Sequence, residues 1–174
     1  RQSKIESMIA EVLDHIQATL YVDPASGLMT IKLLRGDYNV ESLPEINPSN
    51  ANLANFQRRT WGETVNEIVL TYTSSTTAGE LTITVQDLGG IAAQGGVVSS
   101  SRSYPGIHYR ALASRVAARD LAAAAAPLAT CTATLDRSLW DKANPGGVIN
   151  LRWPEKGIER VTMRISKVDR GAPG

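Results

Sequence analysis

The chain changes the spacing of its apolar residues abruptly near residue 18, and this change constrains the fold more than any other feature of the sequence. Residues 3–17 place apolar side chains at helical spacing, and Ser3 and Glu6 fit a capping box at the start of the helix. These apolar positions are Ile5, Met8, Ile9, Val12, Leu13 and Ile16. Residues 19–34 instead form two apolar runs around the turn sequence Asp-Pro-Ala-Ser-Gly. The pattern predicts a helix that packs over a β-hairpin.

The remainder of the chain contains further strand-like segments and one long helix-like segment. Residues 36–55 are rich in Asn, Pro and Ser, which predicts an irregular connector. Residues 108–126 consist largely of strong helix formers, and Pro127 ends this second helix. Strand-like segments lie at 66–74, 79–87, 97–107 and 128–135, and a hairpin lies within 144–171.

These elements predict an α+β fold in two parts. We expect a helix–hairpin subdomain over residues 1–48 and a mainly antiparallel, β-barrel-like domain with one long helix over residues 49–174. The C-terminal hairpin is the clearest pair of strands, because apolar and polar residues alternate in both arms. The apolar residues of the two arms are Ile149, Leu151 and Trp153, then Val161, Met163 and Ile165.

Composition and charge argue against several classes of protein. The 43% of hydrophobic and 20% of charged residues are typical of a folded chain rather than a disordered one. Eighteen Lys and Arg against 17 Asp and Glu give a net charge of +1, which argues against a nucleic-acid binder that works through bulk electrostatics. No segment has the roughly 20 apolar residues of a membrane helix. Because the chain begins with Arg1 rather than methionine, we expect it to be part of a longer protein.

Residues suited to catalysis or metal binding are scarce. His15 and His108 have no histidine or cysteine at metal-ligand spacing. Cys131 is the single cysteine, so no intrachain disulfide can form, and we expect it to be a small buried side chain. The glycine pairs 89–90 and 95–96 fit neither phosphate-loop pattern, and no nucleophile elbow is present. We therefore expect no catalytic residue, cofactor or metal, and no enzyme activity.

One face of the second helix is a candidate subunit interface. Arg115 and Arg119 lie four residues apart and share that face, and small residues including Ala118 and Ala122 flank them. This face fits either a solvated surface or a contact with another subunit. The second alternative is considered because arginine is enriched at interfaces.

Two other functions stay open. A peptidoglycan-degrading enzyme requires clustered acidic, histidine or cysteine residues. A receptor- or glycan-binding module requires an exposed aromatic platform, and Trp61, Trp140 and Trp153 are scattered along the sequence.

Three motifs in a fixed order indicate a family. The first lies in residues 21–50, the second in 63–72 and the third in 145–171, with the sequence YPGI and an Ala/Arg/Leu helix between the last two. The motif residues are Arg35, Asp37, Tyr38, Leu43 and Pro44; Glu63, Thr64, Asn66, Ile68, Leu70 and Tyr72; and Pro145, Gly146, Val148, Leu151, Trp153, Gly157, Ile158, Met163, Arg164, Val168, Asp169 and Gly171. Together they resemble tail-tip or baseplate-hub proteins of tailed bacteriophages. Gly147 stands where that family has an aspartate.

The resemblance implies a structural virion protein, encoded by a phage or prophage. Such hubs close the end of the tail tube and adapt its six-fold symmetry to a three-fold tip. The implied partners are other tail proteins and copies of the chain itself, as a trimer in the full-length protein. The implied locations are the virion tail and, during assembly, the host bacterial cytoplasm. Neither nucleic-acid binding nor a membrane-spanning segment is expected.

Overall fold

The computed structural model describes residues 2–171, with side chains from residue 4. The helices of the described residues are α1 (Gln2–Ile16), α2 (Leu88–Gln94) and α3 (Arg110–Ala124). The strands are β1 (Ala18–Val22), β2 (Met29–Leu33), β3 (Glu45–Ile46), β4 (Ala51–Arg58), β5 (Glu67–Thr73), β6 (Glu80–Gln86), β7 (Ser99–Tyr104), β8 (Ala129–Leu135), β9 (Val148–Trp153) and β10 (Ile158–Arg164). The expected α+β fold is confirmed.

The described strands form four small open sheets. Their orders are β1-β2, β10-β9-β3, β4-β8 and β6-β5-β7. The hairpin partners β1 and β2, β5 and β6, and β9 and β10 are antiparallel, while β3 joins β9 and β7 joins β5 in parallel. The barrel-like form expected of the second part is not confirmed, because no closed barrel forms among the described residues.

Contacts divide the chain into two compact units. The first unit comprises residues 1–55 and 132–174, and the second comprises residues 56–131. This differs from the expected division into 1–48 and 49–174. The C-terminal segment belongs with the N-terminal one because β3 pairs with β9, which brings Ile46 opposite Leu151.

The second unit buries its core between one sheet and α3. Ile68, Leu70 and Tyr72 alternate along β5 with half-buried residues and are almost completely buried. The α3 side chains that pack against this sheet are Ala113, Val116, Ala117 and Leu121. The period of two in β5 and the small residues on α3 therefore explain how the helix lies close to the strands.

A buried amide organises the start of this sheet. The Asn66 side chain is 1% exposed. Its Nδ2 donates to Gln94 Oε1 over 2.5 Å and to the Gly96 carbonyl over 2.8 Å, and its Oδ1 accepts from the Val98 amide over 2.7 Å. Gln94 in turn donates to the Thr64 hydroxyl over 2.6 Å. Asn66 thus joins the start of β5, the end of α2 and the approach to β7.

The C-terminal hairpin of the first unit forms as expected, with one irregularity. Residues Pro154–Lys156 form a 3₁₀ turn, and Gly157 follows with φ of +68°. A register shift between Ile158 and Val161 interrupts the alternation. Ile158 is consequently buried, whereas Val161 is 37% exposed rather than in the core.

The segment 36–55 is more regular than predicted. It contains β3 and the first part of β4. The sequence Ala-Asn-Leu-Ala-Asn-Phe-Gln-Arg in β4 lacks β-branched residues and has little intrinsic strand preference, so its pairing with β8 depends on tertiary structure.

The predicted packing of α1 on the hairpin was wrong. The helix covers the predicted residues except Gln17 and starts at Gln2, so Ser3 lies inside it. The side chain of Ser3 is outside the described part. However, Ile5, Met8 and Val12 on the expected buried face are all more than half exposed.

We expect Asn66→Asp to destabilise the chain by about 3 kcal/mol at neutral pH, because a carboxylate cannot donate to Gln94 or Gly96 and would be buried with a charge. The loss should shrink as pH falls towards about 4, the ordinary pKa of an Asp in the unfolded chain, because burial raises the pKa of the new carboxyl and the folded chain therefore takes up a proton first. Urea unfolding measures both effects. The matched control Asn52→Asp, at an exposed position of β4, should change stability by less than about 0.5 kcal/mol. Equal effects of the two substitutions would contradict the role given to Asn66.

Candidate functional site

The predicted interface on α3 divides into exposed and engaged residues. Arg115, Ala118 and Ala122 are exposed. Arg119 is about one-third exposed, and its guanidinium contacts Asp120, with 2.9 Å from Nε to Oδ1. The Tyr104 hydroxyl donates to the other carboxylate oxygen of Asp120 over 2.7 Å. Because Tyr104 and Asp120 are buried, Arg119 belongs to an internal polar cluster as well as to the surface.

The two histidines make backbone contacts. Nδ1 of His15 lies 2.7 Å from the Glu11 carbonyl oxygen, and Nδ1 of His108 lies 3.0 Å from that of Thr73. In the part of the chain that the structure describes, no group of three His, Cys, Asp or Glu residues is placed to hold a metal ion.

Cys131 is half-buried rather than fully buried. Within residues 2–171, no helix is long and apolar enough to cross a membrane.

An open groove of about 500 Å³ lies in the first unit. Its lining includes Asn50, Asp136, Trp153 and Glu155. Trp140 is also in this unit and stacks under the Arg170 guanidinium at 5.2 Å, whereas Trp61 is exposed in the second unit. The three tryptophans therefore do not gather on one unit.

The β1–β2 hairpin has its polar face inward. Residues opposite each other in an antiparallel pair project to the same face. The pairs Ala18–Leu33, Leu20–Ile31 and Val22–Met29 form one wholly apolar face, and the pairs Thr19–Lys32 and Tyr21–Thr30 form the other. The polar face meets the loop before β9, since a Cβ built on Gly146 would lie 2.7 Å from Thr19 Cγ2.

The apolar face of the hairpin points outward. Val22, Met29, Ile31 and Leu33 are 41–71% exposed. The turn that joins the strands is well ordered by Asp23, whose carboxylate accepts from the Ser26 hydroxyl over 2.7 Å. That hydrogen bond lowers the pKa of Asp23 below its ordinary value.

The apolar stripe of α1 is exposed in the same way. Its exposed members are Ile5, Met8, Ile9, Val12 and Ile16. We call this stripe together with the outward face of the hairpin the N-terminal apolar surface. Sequence reasoning predicted that the α1 stripe is buried against the hairpin. Periodicity shows that a face is apolar without showing what covers it.

The structure also explains positions within the three sequence motifs. Thr64 and Asn66 are buried in the hydrogen-bond network of the second unit. Arg164 donates to the carbonyls of Gly146, over 3.0 Å, and Arg35, over 2.6 Å. Gly147 has no room for an aspartate without a backbone shift, because a Cβ there would lie 2.8 Å from the Asn144 carbonyl oxygen.

Comparison with known proteins identifies the class. A family model described as "Putative phage tail protein" matches residues 4–168. The chain belongs to this family of phage tail proteins. The resemblance to phage tail proteins is therefore confirmed.

A solved structure supports the same fold. The chain is similar to the tail protein from Neisseria meningitidis MC58, with a TM-score of 0.50 and 16% sequence identity. The match covers 87% of this chain and 45% of that protein, so the chain spans less than half the length of its structural relative. No curated protein matches the sequence.

We expect Gly146→Ala to destabilise the chain by about 2–3 kcal/mol. Its φ of +74° strains any other residue, and the added Cβ would meet the stiff, β-branched Thr19 side chain. Gly157→Ala, at φ of +68° with open space around it, should cost only about 1 kcal/mol. Urea unfolding of both variants measures the difference. Equal losses would show that the inward face of the hairpin is not packed against this loop.

We expect Arg119→Glu to destabilise the chain by about 2 kcal/mol, because a second carboxylate would face the buried Asp120. Arg115→Glu, one turn earlier and exposed, should change stability by less than about 0.5 kcal/mol. Thermal and urea unfolding compare the two. If the Arg119 variant is as stable as the Arg115 variant, the internal cluster does not depend on Arg119.

Proposed function

We propose that the chain is a structural module of a phage tail tip or baseplate hub, encoded by a phage or prophage, and that it acts by protein–protein packing rather than by catalysis. The N-terminal apolar surface is the observation that supports this most directly. Large exposed apolar patches mark interaction sites in soluble proteins. In a tail protein, the natural partners for such a surface are other tail subunits and further copies of the chain.

The finer features of this role rest on the motif resemblance. The full-length protein forms a three-fold ring at the end of the six-fold tail tube, and it resides in the virion tail after assembly in the host bacterial cytoplasm. The chain covers less than half of the solved tail protein, so its partners in the whole assembly are part of this proposal.

The α3 surface is a second contact in this proposal. Arg115 and the small residues Ala118 and Ala122 are exposed and allow close approach of a neighbouring backbone. Arg119 adds a charge at the edge of this face, while its contact with Asp120 fixes its position.

A glycan- or receptor-binding module is the alternative. The groove of the first unit favours it, because Trp153 offers an aromatic face beside the polar Asn50, Asp136 and Glu155. Trp153→Ala should abolish glycan or receptor binding under this alternative and leave tail assembly unchanged under the main proposal.

The tail role predicts a particular copy number. Quantitative mass spectrometry of purified virions, with isotope-labelled peptides as standards, measures the number of copies per virion. It should equal the number in one three-fold ring, which is half the number of subunits in one six-fold ring of the tube. A tip or hub occupies one level of the tail, so its abundance does not scale with tail length. Particles made without the gene should lack complete tails. Absence of the protein from virions, or abundance equal to that of the tube subunit, would contradict the hub assignment.

A further inference from the structure

We propose that the N-terminal apolar surface joins copies of this chain head to tail: the α1 stripe of one copy packs on the outward hairpin face of the next. This inference rests on the proposed tail role and specifies the contact within it. Both halves of the contact are present on every copy, and within a single copy their large apolar side chains remain exposed except for the half-buried Leu13 and Leu20.

The two halves match in chemistry. The hairpin face consists of Ala18, Leu20, Val22, Met29, Ile31 and Leu33 and bears no charged side chain. The strand pair places its one lysine, Lys32, on the opposite face. The exposed members of the α1 stripe are likewise all aliphatic or Met. Neither half carries a charge that would favour a partner of opposite charge. A second copy supplies the apolar surface that each half lacks.

The two halves also match in size. The stripe from Ile5 to Ile16 extends about 16 Å along the helix axis, and a five-residue strand extends about 17 Å. One helix therefore covers the length of the hairpin. The nine large apolar side chains of this surface are each 39–71% exposed, which leaves on the order of 1,000 Å² of apolar area on the two halves together, about the least total area that a specific interface buries.

The arrangement is heterologous, because a helix meets a sheet rather than its own equivalent. Heterologous contacts close into rings when the rotation between copies permits. The sequence predicts that α1 packs over the hairpin. In this arrangement that packing occurs between two copies instead of within one, as in a domain swap. Gln17 links the two halves with φ of +49°.

The test is a complementation experiment on the 174-residue chain. We expect the unmodified chain to associate, measured by analytical ultracentrifugation. Val12→Glu, on the helix half, and Ile31→Glu, on the hairpin half, should each weaken association at least tenfold. An equimolar mixture of the two variants should recover one-to-one dimers, because the intact hairpin of the first accepts the intact helix of the second. Leu88→Glu, which changes an exposed leucine on α2, is the matched control and should leave association unchanged.

Each other outcome overturns the inference. A chain that stays monomeric at the highest concentration it reaches has no such contact. Association that neither variant weakens uses another surface, and failure of the mixture to recover dimers excludes the helix-on-hairpin arrangement. Circular dichroism verifies that each variant keeps its fold. If either glutamate variant unfolds, disulfide trapping replaces it. A Val12→Cys chain is mixed with an Ile31→Cys chain, both with Cys131→Ser. Absence of a cross-link between the two chains would overturn the inference. Virions that contain the protein would leave the tail role standing even then.

Discussion

The side-chain amide of Asn66 determines how the second unit is assembled. Its amide protons and its oxygen all bond to one stretch, residues 94–98, which runs from the end of α2 towards β7. Its backbone N–H donates to Val98, and its carbonyl accepts from Asp87. A parallel strand cannot be aligned by a tight turn, so some long-range interaction must fix where it joins the sheet. Here the amide of Asn66 does so for β7, and the alternating core of β5 then packs against α3 in a single register.

The first unit uses the same physical device. Asn150, on β9, is buried and donates from Nδ2 to the Val40 carbonyl over 2.8 Å, while its backbone N–H donates to Pro44. Arg160 donates to the same Val40 carbonyl over 2.7 Å. These bonds attach the segment before β3 to the C-terminal hairpin. In both units, therefore, a buried asparagine with satisfied polar atoms holds a parallel pair of strands together. Replacing it by an apolar residue of similar size would leave its partners without hydrogen bonds and would lower stability.

Sequence reasoning succeeded where structure is local. The bounds of α1, β5 and β6 follow from local sequence patterns, each within one residue. It failed where pairing is long-range, as for the parallel junctions of β3 and β7 and for β4, whose alanines and asparagines give no strand signal. At the α3 surface, helical geometry predicted the exposure of Arg115 and Ala118. The contact of Asp120 with Tyr104, which places Arg119 at an internal cluster, could not be read from helical spacing, because Tyr104 lies on β7 and not on the helix.

The inverted hairpin shows why an apolar pattern alone does not define a core. The inward face of β1 and β2 packs against the Gly146 loop through Thr19 and Lys32, so the apolar face is directed outward by that contact. The α1 helix has 15 residues, a length at which an isolated helix is marginally stable in water. With its apolar stripe uncovered, α1 gains little from tertiary packing, and burial of that stripe is the main contribution to its stability that remains. Assembly and the ordering of α1 are therefore coupled: a neighbour that covers the stripe also stabilises the helix that binds it.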